Sequence, residues 1–265
     1  MTPAKNHAIV TDFAQLVRAD NPNMMTLDGT NTWILRAPGS DTSVVVDPGP
    51  LDEEHLAAVL SVAGEVELVL YTHHHFDHTE SIDRFAELTG APARALDDQL
   101  CRSGDPLADG ELLHVAGLAL EIATVPGHTT DSIAILVTDD GSLLTGDTIL
   151  GRGTTVIAWP DGVLGPYLDS LARIRELVLE GAATRFLPGH GPVVEDPLPV
   201  VDYYLEHRAE RLDQVRAAMA AGATTPEDVV AVVYAEVEKH LWPAAELSVR
   251  AQLDYLEYVT PEIEV

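Results

Sequence analysis

Apolar residues occur in short blocks, each closed by glycine, proline or polar residues. Val44-Val45-Val46 runs into Asp47-Pro48-Gly49-Pro50, which reads as a buried strand ending in a turn. The pattern predicts a helix over 53–62 and a second buried strand over 66–71, which leads directly into Thr72-His73-His74-His75. A helix over 81–88 follows. A third strand, 118–125, carries Leu118, Leu120, Ile122 and Thr124 on one face and ends in Pro126-Gly127-His128. Segments 132–137 and 142–145 pair as a hairpin around Asp139-Asp140-Gly141, ending in Gly146-Asp147. A helix over 167–179 precedes a short strand, 185–187, that stops at Pro188-Gly189-His190-Gly191. Strands outnumber helices here, and the helices fall between strand blocks. This predicts sheets packed on each other with helices outside.

Four of these strands end in a Gly/Pro loop that carries His or Asp. Strand ends on a rigid sheet hold side chains in fixed positions. Beyond Pro199 the pattern becomes purely helical. Residues 201–221 place Leu205, Leu212, Val215 and Met219 at helical spacing before Gly222. Thr225-Pro226-Glu227-Asp228 starts a second helix, expected to reach about Lys239. Pro243 breaks the chain before a third helix over 245–258. The expected division is 1–199 for the chemistry and 200–265 for a small helical appendage of winged-helix type, without an evident terminal hairpin in 259–265.

Composition narrows the classes. With 46% hydrophobic residues the chain can build a real core, and no apolar run reaches membrane-spanning length. No signal-peptide pattern opens the sequence, and Cys101 is the only cysteine, so a cytoplasmic location is expected and Cys101 is treated as inert. The formal net charge of −28 disfavours nucleic acid and acidic membranes as partners.

The chemistry centres on His73-x-His75-x-Asp77-His78. Three imidazoles and a carboxylate in six residues suit a borderline metal that takes nitrogen and oxygen ligands. His128, Asp147 and His190, at three other strand ends, extend the set to seven candidate metal ligands.

With these motifs in order over residues 20–192, the sequence resembles the metallo-β-lactamase superfamily of hydrolases. The resemblance implies a four-layer αββα sandwich and a binuclear centre with two zinc ions per chain, manganese or iron being alternatives. It assigns His73, His75 and His128 to one ion and Asp77, His78 and His190 to the other. Asp147 would bridge both, together with a water or hydroxide. The carboxylate at 147 resembles the glyoxalase II, lactonase and nuclease branches rather than true β-lactamases. Asn21-Pro22, Leu27-Asp28-Gly29-Thr30-Asn31-Thr32, Gly151-Arg152-Gly153-Thr154-Thr155 and Leu187-Pro188-Gly189-His190-Gly191-Pro192 look like the β-lactamase-like protein 2 group. Members of that group are linked to endoribonuclease activity, and fungal relatives to thioester hydrolysis on carrier proteins.

Outside the ligand set, His74 alternates away from its neighbours, and His7, His55, His114 and His240 read as surface or packing residues. His207 reads as structural, near the site mouth. Asp47 is equally a turn cap or an outer partner of a ligand imidazole. Thr30, Asn31 and Thr32 are candidates for the pocket wall, although turn chemistry accounts for Asn31 nearly as well. Asp77 is the candidate catalytic residue, orienting the nucleophile or taking its proton. Three functions stay open: an ester or thioester hydrolase acting on a small-molecule or acyl-carrier substrate, a phosphodiesterase or endoribonuclease on single-stranded RNA, and a non-hydrolytic iron-binding oxidoreductase. The charge favours the first.

Overall fold

The structure is a computed structural model that describes residues 6–259. Two sheets form its centre. One has six strands in sequence order: β1 (His7–Ile9), β2 (Ala14–Arg18), β3 (Asn31–Leu35), β4 (Thr42–Val46), β5 (Glu65–Leu70) and β6 (Ala93–Arg94). The other runs β11 (Arg185–Pro188), β10 (Ser142–Gly146), β9 (Ile133–Val137), β8 (Leu118–Thr124), β7 (Leu112–Val115). Strands β1 to β4 pair antiparallel, β4 with β5 and β5 with β6 parallel. In the second sheet only β10 and β11 are parallel neighbours.

Strand alternation explains the layers. Trp33, Leu35, Val44, Val46 and Leu70 of the first sheet meet Leu120, Ile122, Ile133, Ile135 and Leu144 of the second, forming the inter-sheet core. The intervening residues face outward and are buried as well. Ile34, Val45 and Val69 pack with Leu56 and Val59 of α1 (Glu53–Ala63) and Phe85 of α3 (Ile82–Thr89). Ala134, Leu136, Leu143 and Phe186 pack with Tyr167, Leu171 and Ile174 of α4 (Leu164–Leu179). Strands covered on both faces read as continuous apolar runs, which is why Val44 to Val46 shows no alternation in sequence. Each such buried side chain contributes about 1.5–3 kcal/mol. The result is the expected αββα sandwich.

The C-terminal helices are α5 (Pro197–Ala220), α6 (Pro226–Val233) and α7 (Trp242–Val259). Val201, Tyr204, Leu212 and Val215 of α5 join the same core cluster as α4. The Tyr204 hydroxyl accepts from the Leu150 amide (2.8 Å), tying α5 to the loop after Asp147. The Thr225 capping box starts α6 as expected. Its end is earlier than the sequence predicts: α6 stops at Val233, because the chain turns at Tyr234 and Trp242 Nε1 donates to the Val237 carbonyl (3.0 Å). Helix α7 begins at Trp242, with Pro243 inside its first turn, where a missing N–H costs nothing. A terminal hairpin in 260–265 lies outside the described residues.

Candidate metal centre

Strands β4, β5, β8, β10 and β11 all end at one edge of the sandwich, and each delivers a polar residue there. After β5 the chain runs through Tyr71 and Thr72 to His73. His75 sits at the N-terminus of the one-turn helix α2 (Phe76–Thr79), which swings Asp77 and His78 to the far side of His73. His128 follows β8, Asp147 follows β10, and His190 follows β11.

The donors form two groups that meet at Asp147. In the first, Nδ1 of His75 lies 3.1 Å from Nε2 of His73 and 3.1 Å from Nε2 of His128. In the second, Nε2 of His190 lies 3.0 Å from Asp77 Oδ2 and 3.3 Å from Nε2 of His78. Asp147 Oδ2 stands 3.2 Å from His190 Nε2 and 3.9 Å from His128 Nε2, so one carboxylate faces both groups. Two donors about 2.1 Å from a tetrahedral ion stand roughly 3.4 Å apart, which is close to these separations.

Outer partners aim the rings. Asp47, turned by a left-handed backbone (φ 51°), accepts from the Thr72 amide (2.8 Å) and the Thr72 hydroxyl (2.7 Å), and its Oδ2 lies 2.9 Å from His78 Nδ1. Thr72 Oγ1 in turn lies 3.0 Å from His73 Nδ1. His128 Nδ1 faces the Val156 carbonyl (3.0 Å) and His190 Nδ1 the Gly29 carbonyl (3.3 Å). These contacts leave the Nε2 lone pairs of four rings directed inward, as metal-binding histidines require.

The residues fit a metal. Oδ1 of Asp147 is buried without a hydrogen-bond partner. Imidazole nitrogens that face one another at these distances need a shared cation or proton to be favourable. A Cβ added at Gly189 would come within 2.4 Å of Asp147 Oδ1 and 2.8 Å of His78 Cε1, so only glycine leaves this cradle open.

The two groups differ electrostatically. In the first, burial and then neighbouring imidazoles disfavour charge: His73 falls well below the usual histidine value, and His75 falls to about 4, with His128 the next cause. In the second, burial also opposes charge, but carboxylates outweigh it. Asp77, Asp147 and Asp47 raise His78 well above its usual value, while Asp147 and Asp77 raise His190 to about 9. The same imidazoles outweigh the burial of Asp147 and hold its carboxyl well below the carboxylate range.

Residues 25–190 match the family described as the metallo-beta-lactamase superfamily. The chain belongs to that superfamily. A further match, over residues 225–258, is to the beta-lactamase associated winged helix domain. The chain is 32% identical over 262 residues to a beta-lactamase-like protein 2 homolog of Drosophila melanogaster, covering 89% of this chain and 85% of that protein. It is 31% identical over 238 residues to an atrochrysone carboxyl ACP thioesterase of Aspergillus fumigatus, covering 82% of this chain and 72% of that one. A beta-lactamase domain protein from Burkholderia ambifaria has the same fold, with a TM-score of 0.82 at 21% identity over 99% of this chain and 91% of its own.

Within this metallo-beta-lactamase fold, all seven candidate ligands converge. His74 does not join them: its Nδ1 lies 2.8 Å from Asp131 and its Nε2 3.5 Å from Asp161, on the outer side of the loop. Asn31 does not line the pocket. Its amide donates to the Pro188 and Gly191 carbonyls (3.0 and 2.9 Å) and so clamps the His190 loop. Thr30 reaches the centre itself, donating to Asp77 Oδ2 (3.3 Å). His55, read as ordinary, is buried with Nε2 2.9 Å from Thr32 Oγ1, which also donates to the Asp47 carbonyl (2.7 Å). No local motif marks that role. Its signal is only a histidine on the apolar face of a helix that follows the Asp47 turn.

Proposed function

We propose that this chain is a two-metal hydrolase of carboxylic esters or thioesters. His73, His75 and His128 hold one ion; Asp77, His78 and His190 hold the other; Asp147 lies between both. The observation that carries the reading is the Asp147 carboxylate, which faces both donor groups and whose Oδ1 is buried and unpartnered. When bound, two divalent ions, zinc first among candidates, would lower the pKa of water toward about 7 and stabilise charge developing on the substrate oxygen.

The chain's own residues do the positioning. Asp77, with its side chain 28% exposed, stands at the mouth and orients the attacking water. The hydroxyl of Thr30 fixes that carboxylate. In the reaction the water oxygen bonds to the acyl carbon, the C–O or C–S bond breaks, and the leaving oxygen or sulfur takes up a proton. In this reading residues 1–199 carry the chemistry, and the helices of 200–265 shape the approach to it.

Charge favours acyl substrates over RNA. A ribonuclease needs free cations around its groove. Arg152 is paired with Asp28, Arg208 is buried against the Thr155 carbonyl, and Arg211 stacks 4.7 Å over Tyr234. The similarity to an ACP thioesterase agrees with this. The test is hydrolysis of an acyl thioester and of single-stranded RNA by one preparation, wild type and His75→Ala. The account expects thioester cleavage that disappears in His75→Ala. Faster RNA cleavage that disappears in the variant and falls steeply with salt would replace it with the ribonuclease reading.

A further inference from the structure

A groove of about 540 Å³ lies where the C-terminal helices meet the sandwich, within the usual size range of ligand pockets. Two of its walls lead into the metal centre. On one side, the loop bearing Met24 and Met25 continues to Thr30, whose hydroxyl donates to Asp77. On the other, Val156 presents its carbonyl to His128 Nδ1. No candidate ligand lines the groove itself; it lies behind His128 through Val156 and is joined to Asp77 through the loop from Met25 to Thr30. Val237 and Leu241, between α6 and α7, close the third side.

Its lining is unusual for this chain. Among the described residues, no acidic side chain lines the groove, in a sequence that carries 43 of them. The two arginines present are engaged within the protein. Arg208 donates to the Thr155 carbonyl and lies 5.1 Å over Tyr167, and Arg211 donates to Gln214 and the Val233 carbonyl. These partners are neutral, so both guanidiniums keep their charge while their stems and flat faces add apolar surface to the wall. Met24 and Met25, 54% and 51% exposed, form an adaptable apolar lip.

We propose that this groove is the acyl-chain subsite of the hydrolase: it takes an extended apolar acyl group and sets the acyl carbonyl at the donors around Asp147. The inference rests on the ester or thioester reading above, and its test separates the two. The full chain, as purified, is assayed on N-acetylcysteamine thioesters from acetyl to octanoyl, which share one leaving group. In wild type kcat/KM rises with chain length, up to about fourfold for each methylene buried. Leu241→Glu and, on the exposed lip, Met25→Glu lower the octanoyl-to-acetyl ratio. In parallel, S-ethyl and S-octyl thioethers of N-acetylcysteamine, which cannot be hydrolysed, are titrated calorimetrically. The octyl compound binds wild type more tightly, and Met25→Glu removes that margin. A flat length dependence in wild type, or a ratio unchanged in both variants, overturns the proposal. If no thioester is hydrolysed, the thioester reading fails and the thioether titration alone decides. Length-dependent binding lost in Met25→Glu upholds an apolar-chain subsite, and equal binding of both thioethers overturns it.

Discussion

The two donor groups around Asp147 are built from different chemistry on a shared support. The first is three imidazoles whose charge burial suppresses, drawn from His73, His75 and His128. The second joins two imidazoles to the Asp77 carboxylate, and His78 gains a further carboxylate behind it in Asp47. One group offers neutral nitrogen donors at neutral pH, and the other concentrates negative charge. Yet Asp47 supports both, directly at His78 and through Thr72 at His73. Individual ligands should therefore affect one ion each, whereas Asp147 and Asp47 should affect the pair.

The largest effect is expected at Asp147. Asp147→Ala should lose both metals and reduce hydrolysis to background, because it removes the carboxylate that faces both groups. Metal content and turnover measured on one preparation check this, and full turnover would end the bridging assignment. Next come the single ligands. His75→Ala should keep one metal per chain, in the second group, and His190→Ala should keep one in the first. Loss of both ions in either variant would mean the groups form a single cooperative unit.

Why these residues were legible from sequence, while their supports were not, follows from where the information lies. The candidate ligands sit just past the ends of strands marked by apolar runs or by alternation, and the Gly/Pro loops that close those strands expose them locally. Strands β1, β2 and β7 are short or partly exposed and give no such run. Strand β3 is fully buried, but its first residue, Asn31, reads nearly as well as turn chemistry. The clamp of Asn31 on the His190 loop joins residues 157 and 160 positions apart, and no local pattern encodes it. The end of α6 was misplaced for a similar reason: the Trp242 to Val237 contact that folds the chain back is tertiary.

Smaller effects sharpen the comparison. Asp47→Asn keeps the volume but weakens the support of both groups. Metal affinity should fall by about 10–100-fold at both, the usual cost of removing an outer partner. Competition against a chelator measures it, and a loss confined to the second group would show that Thr72 holds His73 without Asp47. The smallest effect concerns His55, whose pKa burial lowers below the usual 6.5. A lowered folded value means the unfolded chain binds more protons on acidification. Its contribution is fully present above about pH 6.5 and is lost as pH falls through the folded pKa. Denaturant unfolding of wild type and His55→Gln between pH 7 and pH 5 checks this, and the variant should lose less stability over that range.

The central claim is that two ions flank Asp147. Anomalous diffraction at the zinc edge, from crystals of protein purified without chelator, tests it most directly. The account predicts two peaks roughly 3.5–4 Å apart, one among His73, His75 and His128 and one among Asp77, His78 and His190. A single peak at one group, or metal held instead by His74 and Asp161, would contradict it.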